Sequence, residues 1–498
     1  MAGFDKRDVL KAGVAGMAAA LVPGLARARS YRMPVDRRGP PNLLLITADD
    51  IDWSALGFMT GRKGLTPNLD RLASRSQVFE QVRTAAPICM PSRQAFMSGK
   101  LPHRNGGNGF FPMFEGTPTL CSVLDDAGYY CAASHKIGHM QPATSFPWSV
   151  AAEGKDRNPL IHAAFVSFAV AEARAQMRPF FINCNINDPH RPFYGSKVGL
   201  AMDHDNRGPY KVPDELGPDG VAIPSNLDDL PNVRAEHAQY WNSAKRMDMA
   251  VGNILDALEA SGEADNTVIL FVADHGMPMP FAKATCYDHG IRTPVLLSYP
   301  GMRAPRRYDT LTTNLDILPT LCELLGQTPP EGIDGSSWVP MLEKGASFDR
   351  DYVTSYVDYT ASGMHFPMRT LQNRRWAFLV SPWSDGGKTK FHAESMFGLT
   401  WPAMVERAKS DPVMAQRVAQ YTIGYPMALY DLENDPGQRV NLIDRPGHAG
   451  RAAEMKRLML AEMERTGDPQ LANYRLMLEG KPPDLVQNPE RYRLRKDD

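Results

Sequence analysis

Four apolar segments of strand length in this chain end beside ionisable residues, and this pattern restricts the fold more than any other feature. Pro41 to Ala48 (P-N-L-L-L-I-T-A) is an almost unbroken apolar run that stops at Asp49-Asp50. Thr267 to Ala273 (T-V-I-L-F-V-A) stops at Asp274-His275-Gly276. Tyr129 to Ala133 precedes His135-Lys136, and Phe180 to Ile186 precedes Asp188-Pro189-His190. Short runs that are apolar throughout suit strands of a parallel sheet covered on both faces. Helical spacing separates them, over Leu120 to Ala127, Leu160 to Met177 and Ala235 to Ala260. Alternating strands and helices predict an α/β fold with a mostly parallel sheet sandwiched by helices. In such sheets ligands bind beyond the carboxyl ends of the strands. The four polar clusters are therefore expected to meet along one edge.

The pattern changes after about residue 360. Met368 to Gln372 and Arg375 to Val380 read as a hairpin, Leu429 to Pro436 as a strand and turn, and Ala452 to Thr466 as an amphipathic helix. Residues 40–360 are thus expected to form the main domain. Residues 361–498 are expected to form a C-terminal subdomain with a small antiparallel sheet and a helix. Gly386 to Tyr425 reads as an irregular insert.

With 498 residues the chain has room for about two or three domains. Its 43% hydrophobic and 22% charged content is that of an ordinary globular protein. A net charge of -1 gives no electrostatic footprint for nucleic acid or an anionic membrane. The first 28 residues read as an export signal. Lys6-Arg7 precedes a mostly Ala/Gly/Val/Leu stretch from Ala12 to Leu25, and Ala26-Arg27-Ala28 has the form of a cleavage site. The apolar stretch is shorter than the ~20 residues that cross a bilayer, so no stable membrane insertion is expected. K-R-D-V-L-K resembles a twin-arginine signal with Lys6 in place of the first arginine. The expected location is the periplasm or outside the cell, with the mature chain starting near Arg29. Six cysteines are present (Cys89, Cys121, Cys131, Cys184, Cys286 and Cys322), and their spacing does not suggest a disulfide framework.

Asp49, Asp50 and Asp274 offer hard oxygen donors, and His275 offers a nitrogen. Carboxylates that converge without partners repel each other, and a hard divalent cation such as Ca²⁺ or Mg²⁺ resolves this. A pair of aspartates at a strand end also serves to cap a turn. Lys136 alone reads as a solvated lysine, His139 as a turn histidine and Lys283 as a partner of Asp288.

Cys89-Met90-Pro91-Ser92-Arg93 reads C-x-P-S-R, with D-D before it and D-H-G after it. That set, in that order, resembles the formylglycine-dependent sulfatase family of the alkaline phosphatase superfamily. The resemblance continues through Lys136 and His139 in H-K-I-G-H, His190 in N-D-P-H-R-P-F, Lys283 in K-A-T-C-Y-D-H-G, and L-Y-D-L-E-N-D-P from Leu429 to Pro436. Within the family the chain looks most like the N-sulfoglucosamine sulfohydrolase branch. His275 and the K-x-x-H spacing are closer to the iduronate sulfatase pattern.

The resemblance implies an alkaline-phosphatase-like fold and an exported sulfatase acting on a sulfated carbohydrate or another small sulfate ester. It implies that a maturation enzyme converts Cys89 to formylglycine, whose hydrate attacks sulfur. It also implies one metal ion, Ca²⁺ ahead of Mg²⁺, held by Asp49, Asp50, Asp274, His275 and the modified Cys89. Arg93 would steady the formylglycine, and Lys136 and Lys283 would bind sulfate. His190 would protonate the leaving group, and His139 would take the proton that releases sulfate. His135 and His289 receive no role. Two alternatives remain open: a phosphonate monoester or phosphodiester hydrolase of the same superfamily, and a sulfated-glycan binding protein with unmodified Cys89.

Overall fold

The apolar run before Asp49 forms the centre of a mixed, mostly parallel eight-stranded sheet. The computed structural model describes residues 40–201, 208–348 and 350–485, so the expected export segment lies outside the described residues. Strands β1 (Asn42–Ala48), β2 (Gln77–Phe79), β3 (Val82–Arg83), β4 (Tyr130–Ser134), β5 (Val150–Ala152), β6 (Phe180–Ile186) and β7 (Thr267–Ala273) are followed by β8 (Val295–Ser298), β9 (Arg306–Tyr308) and β10 (Thr312–Thr313). The order across the large sheet is β5-β4-β6-β1-β7-β8-β2-β9, and β3 pairs separately with β10. Strands β5, β4, β6, β1 and β7 run parallel, while β8 is antiparallel to both neighbours.

The continuous apolar character of β1 has a simple cause. Leu44 and Ile46 face one core, with Phe165, Trp241 and Leu255. Leu43 and Leu45 face the other, with Phe96, Leu124 and Trp338. Successive side chains alternate between faces, so a strand covered on both sides keeps polar residues only where they find a buried partner, as Asn42 does in Glu263 and Thr47 in Asn185. Each fully buried Leu or Ile stabilises the fold by roughly 1.5–3 kcal/mol. Helices Ile161–Ala175 and Pro231–Ser261 cover the first face; Leu120–Asp126 and Ile317–Leu324 lie on the second. The 31-residue helix Pro231–Ser261 begins on proline and ends at left-handed Gly262, both standard terminus chemistry. Among the described residues no helix is long and apolar enough to cross a membrane.

A second, antiparallel sheet is built from β11 (Val353–Tyr359), β12 (His365–Gln372), β13 (Trp376–Val380) and β14 (Met427–Asp431) in sequence order. Helix Ala449–Thr466 covers one face, where Met455 and Met459 meet Phe378, Val380 and Leu429. The stretch 386–425, expected as irregular, contains helices Thr400–Ala408 and Pro412–Thr422 instead. Met404, Met414 and Tyr421 of these helices pack with Ala377, Leu379 and Tyr430 on the sheet's other face. Those apolar positions are too sparse to reveal a helix until a surface exists for them to cover. All six cysteines are free and buried.

His237 lies inside the long helix, fully buried between Tyr240 and Trp241. Neither ring nitrogen has a hydrogen-bond partner among the described residues. Burial pushes its pKa down to about 4, against 6.5 when free. The folded chain thus holds it neutral while the unfolded chain binds a proton below 6.5, and stability falls as pH drops from 6.5 toward 4. His237→Phe should remove up to about 3 kcal/mol of that pH dependence, read from urea melts across this range.

Candidate active site

Parallel register assembles the site. Ala48 aligns with Ile186 of β6 and Ala273 of β7, so Asp49, Asn187 and Asp274 leave the sheet side by side. Ser134 of β4 aligns with Cys184, which brings His135 and Lys136 to the same edge. The ladder extends one residue further, with Asp49 N bonded to Ile186 O at 3.1 Å and Asp274 N to Ala48 O at 3.2 Å. Asp50 then turns the chain in the left-handed region, at φ 68°. Three bonds hold that turn: Asp50 N donates to Asp274 Oδ1 at 3.0 Å, Tyr240 OH donates to Asp50 O at 2.9 Å, and Asp52 N donates to Tyr240 OH at 2.7 Å.

Cys89 opens helix Cys89–Ser98 and is buried directly against this edge. Its Sγ lies 3.2 Å from His275 Nε2 and 3.9 Å from Asp50 Oδ1. Burial, reinforced by the neighbouring carboxylates, pushes the thiol pKa well above its ordinary value. An unmodified Cys89 is therefore a poor thiolate nucleophile. One turn on, Arg93 Nη2 sits 3.2 Å from Asp274 Oδ2 and 3.7 Å from Asp49 Oδ1. Its Nη1 bonds Asn185 Oδ1 at 2.6 Å and Thr47 Oγ1 at 2.9 Å.

The other expected residues converge on the same point. Lys136, itself left-handed at φ 52°, pairs with Asp49. Lys283 Nζ bonds both oxygens of Asp50, at 2.8 and 3.1 Å. Asp288, its sequence-level alternative partner, pairs with Arg83 at 3.0 Å. His190 Nδ1 donates to Arg191 O at 2.7 Å, and its Nε2 turns toward Asp50 Oδ2 at 4.0 Å. His139 closes a short helical turn, its ring edge-on to Phe110. His289 pairs with Asp52 at 3.0 Å and His135 with Asn187 at 3.0 Å, outside the central cluster.

Electrostatics follow from burial against neighbouring charge. Burial acts to raise Asp49, but Lys136, with His190 and Arg93, outweighs it and holds the carboxyl well below the usual range. Asp274 is driven well above that range by burial and by Asp49 beside it. Burial keeps His190 and His275 near a pKa of about 4, so both imidazoles are neutral at pH 7. His275 Nδ1 faces Gly276 O at 2.9 Å, which makes Nδ1 the protonated nitrogen and leaves the Nε2 lone pair aimed at Cys89 and Asp50.

The residues fit a hard divalent cation. Asp49, Cys89, Asp274 and His275 present ligand atoms all within 4.8 Å of one another, and Asp50 Oδ1 lies 3.3 Å from His275 Nε2. Asp49 has ion-pair neighbours, yet neither of its buried oxygens accepts a regular hydrogen bond among the described residues; Asp274 Oδ2 shares this state. Oxygen-rich donors with spare lone pairs suit Ca²⁺ or Mg²⁺.

Sequence reading missed the residues that hold these groups. Asn185 supports Arg93 and also donates to Ser134 O and His135 O. Asp188 accepts from Arg246 at 2.6 Å and Arg157 at 2.5 Å, and Arg157 also bonds His190 O at 2.7 Å. An asparagine inside a fully buried strand was the available signal, because a buried amide needs partners. Tyr240, nearly 200 residues from its partners in sequence, gave none.

Residues 41–327 match the sequence model described as Sulfatase, and residues 274–385 match one described as N-sulphoglucosamine sulphohydrolase, C-terminal. Human N-sulphoglucosamine sulphohydrolase is 28% identical over 487 residues, spanning 90% of this chain and 93% of the human one. A solved 2-O GAG sulfatase superposes with a TM-score of 0.63 at 22% identity, covering 91% of this chain and 96% of its own. The phosphonate monoester hydrolase of Agrobacterium radiobacter superposes with a TM-score of 0.62 at 19% identity, covering 87% and 97%.

Arg93→Met should leave Asp274 without its buried counter-charge and Asp49 with Lys136 alone. The expected cost is about 3–5 kcal/mol in denaturant melts. Lys136→Met, at the solvent-facing side of the same cluster, should cost less.

Proposed function

From the premise that the chain belongs to the sulfatase family, whose members hydrolyse sulfuric esters, we propose that it removes sulfate from a sulfated sugar, as an O-ester or N-sulfate, after export to the periplasm or beyond. The observation that carries the reading is Cys89, buried 3.2 Å from His275 Nε2 among three carboxylates and three cations at one sheet edge. The charged start, apolar run and A-x-A of residues 1–28 support export.

Formylglycine at position 89 and a divalent cation, Ca²⁺ before Mg²⁺, supply the nucleophilic oxygen and the Lewis acid when present. Asp49, Asp50, Asp274 and His275 would hold the ion. Asp49, Asp50, Asp274 and Glu394, the last 3.9 Å from Lys283, face Arg93, Lys136 and Lys283, four carboxyl groups against three cations. A divalent ion therefore leaves the site with a positive excess that favours an anionic sulfate group. Lys136 and Lys283 bind the sulfate oxygens and offset charge that develops on them. Arg93, fixed beneath the carboxylates by Thr47 and Asn185, keeps the ligand set in position.

His190 serves the leaving group. Its Nδ1 is committed to Arg191 O, so the proton it exchanges is at Nε2, and an anionic substrate favours that proton. His139, held neutral by burial with Lys136 nearby, is placed to accept a proton during sulfate release.

Protein made with a formylglycine-generating enzyme should show the Cys89 peptide about 18 Da lighter. It should turn over monosulfated glucosamines, lose that activity to a chelator, and prefer sulfate esters over matched phosphonate esters. Full activity with an intact thiol at Cys89 rules out the formylglycine reading. A preference for phosphonate transfers the chain to the superfamily's phosphonate hydrolases. Turnover of neither class by modified protein favours a glycan-binding role.

His190→Ala should cost about 10²–10⁴-fold in kcat on a sulfated sugar, where the leaving oxygen or nitrogen needs a proton. On nitrophenyl sulfate the loss should be much smaller. Equal losses would show that His190 binds sulfate or supports the fold.

A further inference from the structure

Glu394 is an acid at this site that the chemistry above does not use. It belongs to the short turn Glu394–Met396, in the stretch between β13 and β14 of the small sheet. Its Oε1 lies 3.9 Å from Lys283 Nζ. Both carboxylate oxygens are shut off from solvent, and neither accepts a hydrogen bond among the described residues. Lys283 Nζ donates to Asp50 at 2.8 and 3.1 Å, and its 3.9 Å approach to Glu394 is an ion pair without a hydrogen bond. A buried carboxylate without donors destabilises a fold and is expected where a ligand brings the donor.

The turn is firmly anchored. Ser395 Oγ and Tyr421 OH lie 2.5 Å apart. Gly398 has φ 99°, and a Cβ there would fall 1.8 Å from Glu236 Oε1 and 2.4 Å from Arg191 Nη1. Thr400 N donates to Glu236 Oε2 at 2.7 Å, and Arg191 donates to Glu236 Oε1 at 2.5 Å. Arg191 follows His190 directly. The turn is thus latched to the segment that carries the leaving-group histidine, and it brings Glu394 up to a sulfate-binding lysine. Phe397, at the end of the turn, is 57% exposed. An exposed ring near an acid that accepts no hydrogen bond suits a ligand with both apolar C–H faces and hydroxyl donors.

Resting on the sulfated-sugar reading above, we propose that Glu394 is a specificity-determining residue. It accepts a hydrogen bond from a hydroxyl or N–H group adjacent to the sulfated position of the sugar. A carboxylate there also repels a second sulfate, so the site selects sugars whose neighbouring position is not sulfated.

The test compares wild type, Glu394→Gln, Glu394→Ala and Gly398→Ala, all matured with formylglycine and shown folded by thermal melts. Each is assayed on nitrophenyl sulfate and on N-, 3-O- and 6-O-monosulfated glucosamine. Both Glu394 variants should lose about 10- to 100-fold in kcat/KM on the preferred sugar, the span of a hydrogen bond to a charged group. On nitrophenyl sulfate, which has no such donor, the change should stay within about 3-fold. Gly398→Ala unseats the turn and also crowds Arg191 beside His190, so it should lower the sugar rate at least as far. Equal losses on both substrates would mean that Glu394 only positions Lys283, and would overturn the proposal. An unchanged sugar rate would overturn it as well, leaving the sulfated-sugar reading intact. Wild type active on nitrophenyl sulfate and on none of the sugars would overturn that reading first, and this inference with it.

Discussion

Compensating three buried carboxylates is the constraint around which this protein is organised. Asp49, Asp50 and Asp274 are fully buried at neighbouring strand ends. Carboxylates this close cannot all ionise without nearby positive charge. The three cations that answer them come from three different places: Arg93 from the helix that starts at Cys89, Lys136 from the turn after β4, and Lys283 from the loop after β7. Charge balance therefore requires these elements to converge, and an error in strand register would strand a buried charge. A group that holds ligands for a cation is in this way also part of what the fold depends on.

A second set of polar residues sets the geometry of the first. Tyr240 bridges Asp50 and Asp52 from the long helix, which fixes Asp50 in the left-handed region, a conformation aspartate tolerates better than most residues. Asn185 ties Arg93 to β4, linking a helix to two strands. Asp188, held between Arg246 and Arg157, anchors the loop that presents His190. None of these groups lies at the centre of the cluster. Each removes freedom from one that does, and preorganised groups do more for a developing charge than mobile ones.

The small sheet contributes to the site as well as to the core. Its apolar face gathers Val357, Phe366, Leu379 and Tyr430 against Ile88, Phe281, Ala284 and Cys286. Ile88 immediately precedes Cys89, and Phe281 and Ala284 flank Lys283, both in left-handed conformations. The same hydrophobic cluster thus braces the start of the Cys89 helix and the Lys283 loop. Helices Thr400–Ala408 and Pro412–Thr422 complete that cluster and carry the Glu394 turn in front of it. A region that reads as a separate appendage in the chain is in fact a wall of the site.

The sequence by itself determined the sheet's central strands, their parallel order of construction, and nearly all the groups that converge at the sheet edge. These were visible because a strand buried on both faces is apolar along most of its length, and because the ionisable residues sit where such strands end. C-x-P-S-R and its companion segments then named the residues that would meet. Only the tertiary structure decided which partner each one takes. Lys283 binds Asp50 and not Asp288, since the loop after β7 folds back over β1. The 386–425 stretch becomes helical because its scattered apolar residues acquire a sheet to cover. Asn185, Tyr240 and Glu394 acquire meaning from contacts with residues 92, 190 and 111 positions away. Local pattern encodes burial and periodicity, whereas pairing across such separations depends on register and packing, which exist only once the chain has folded.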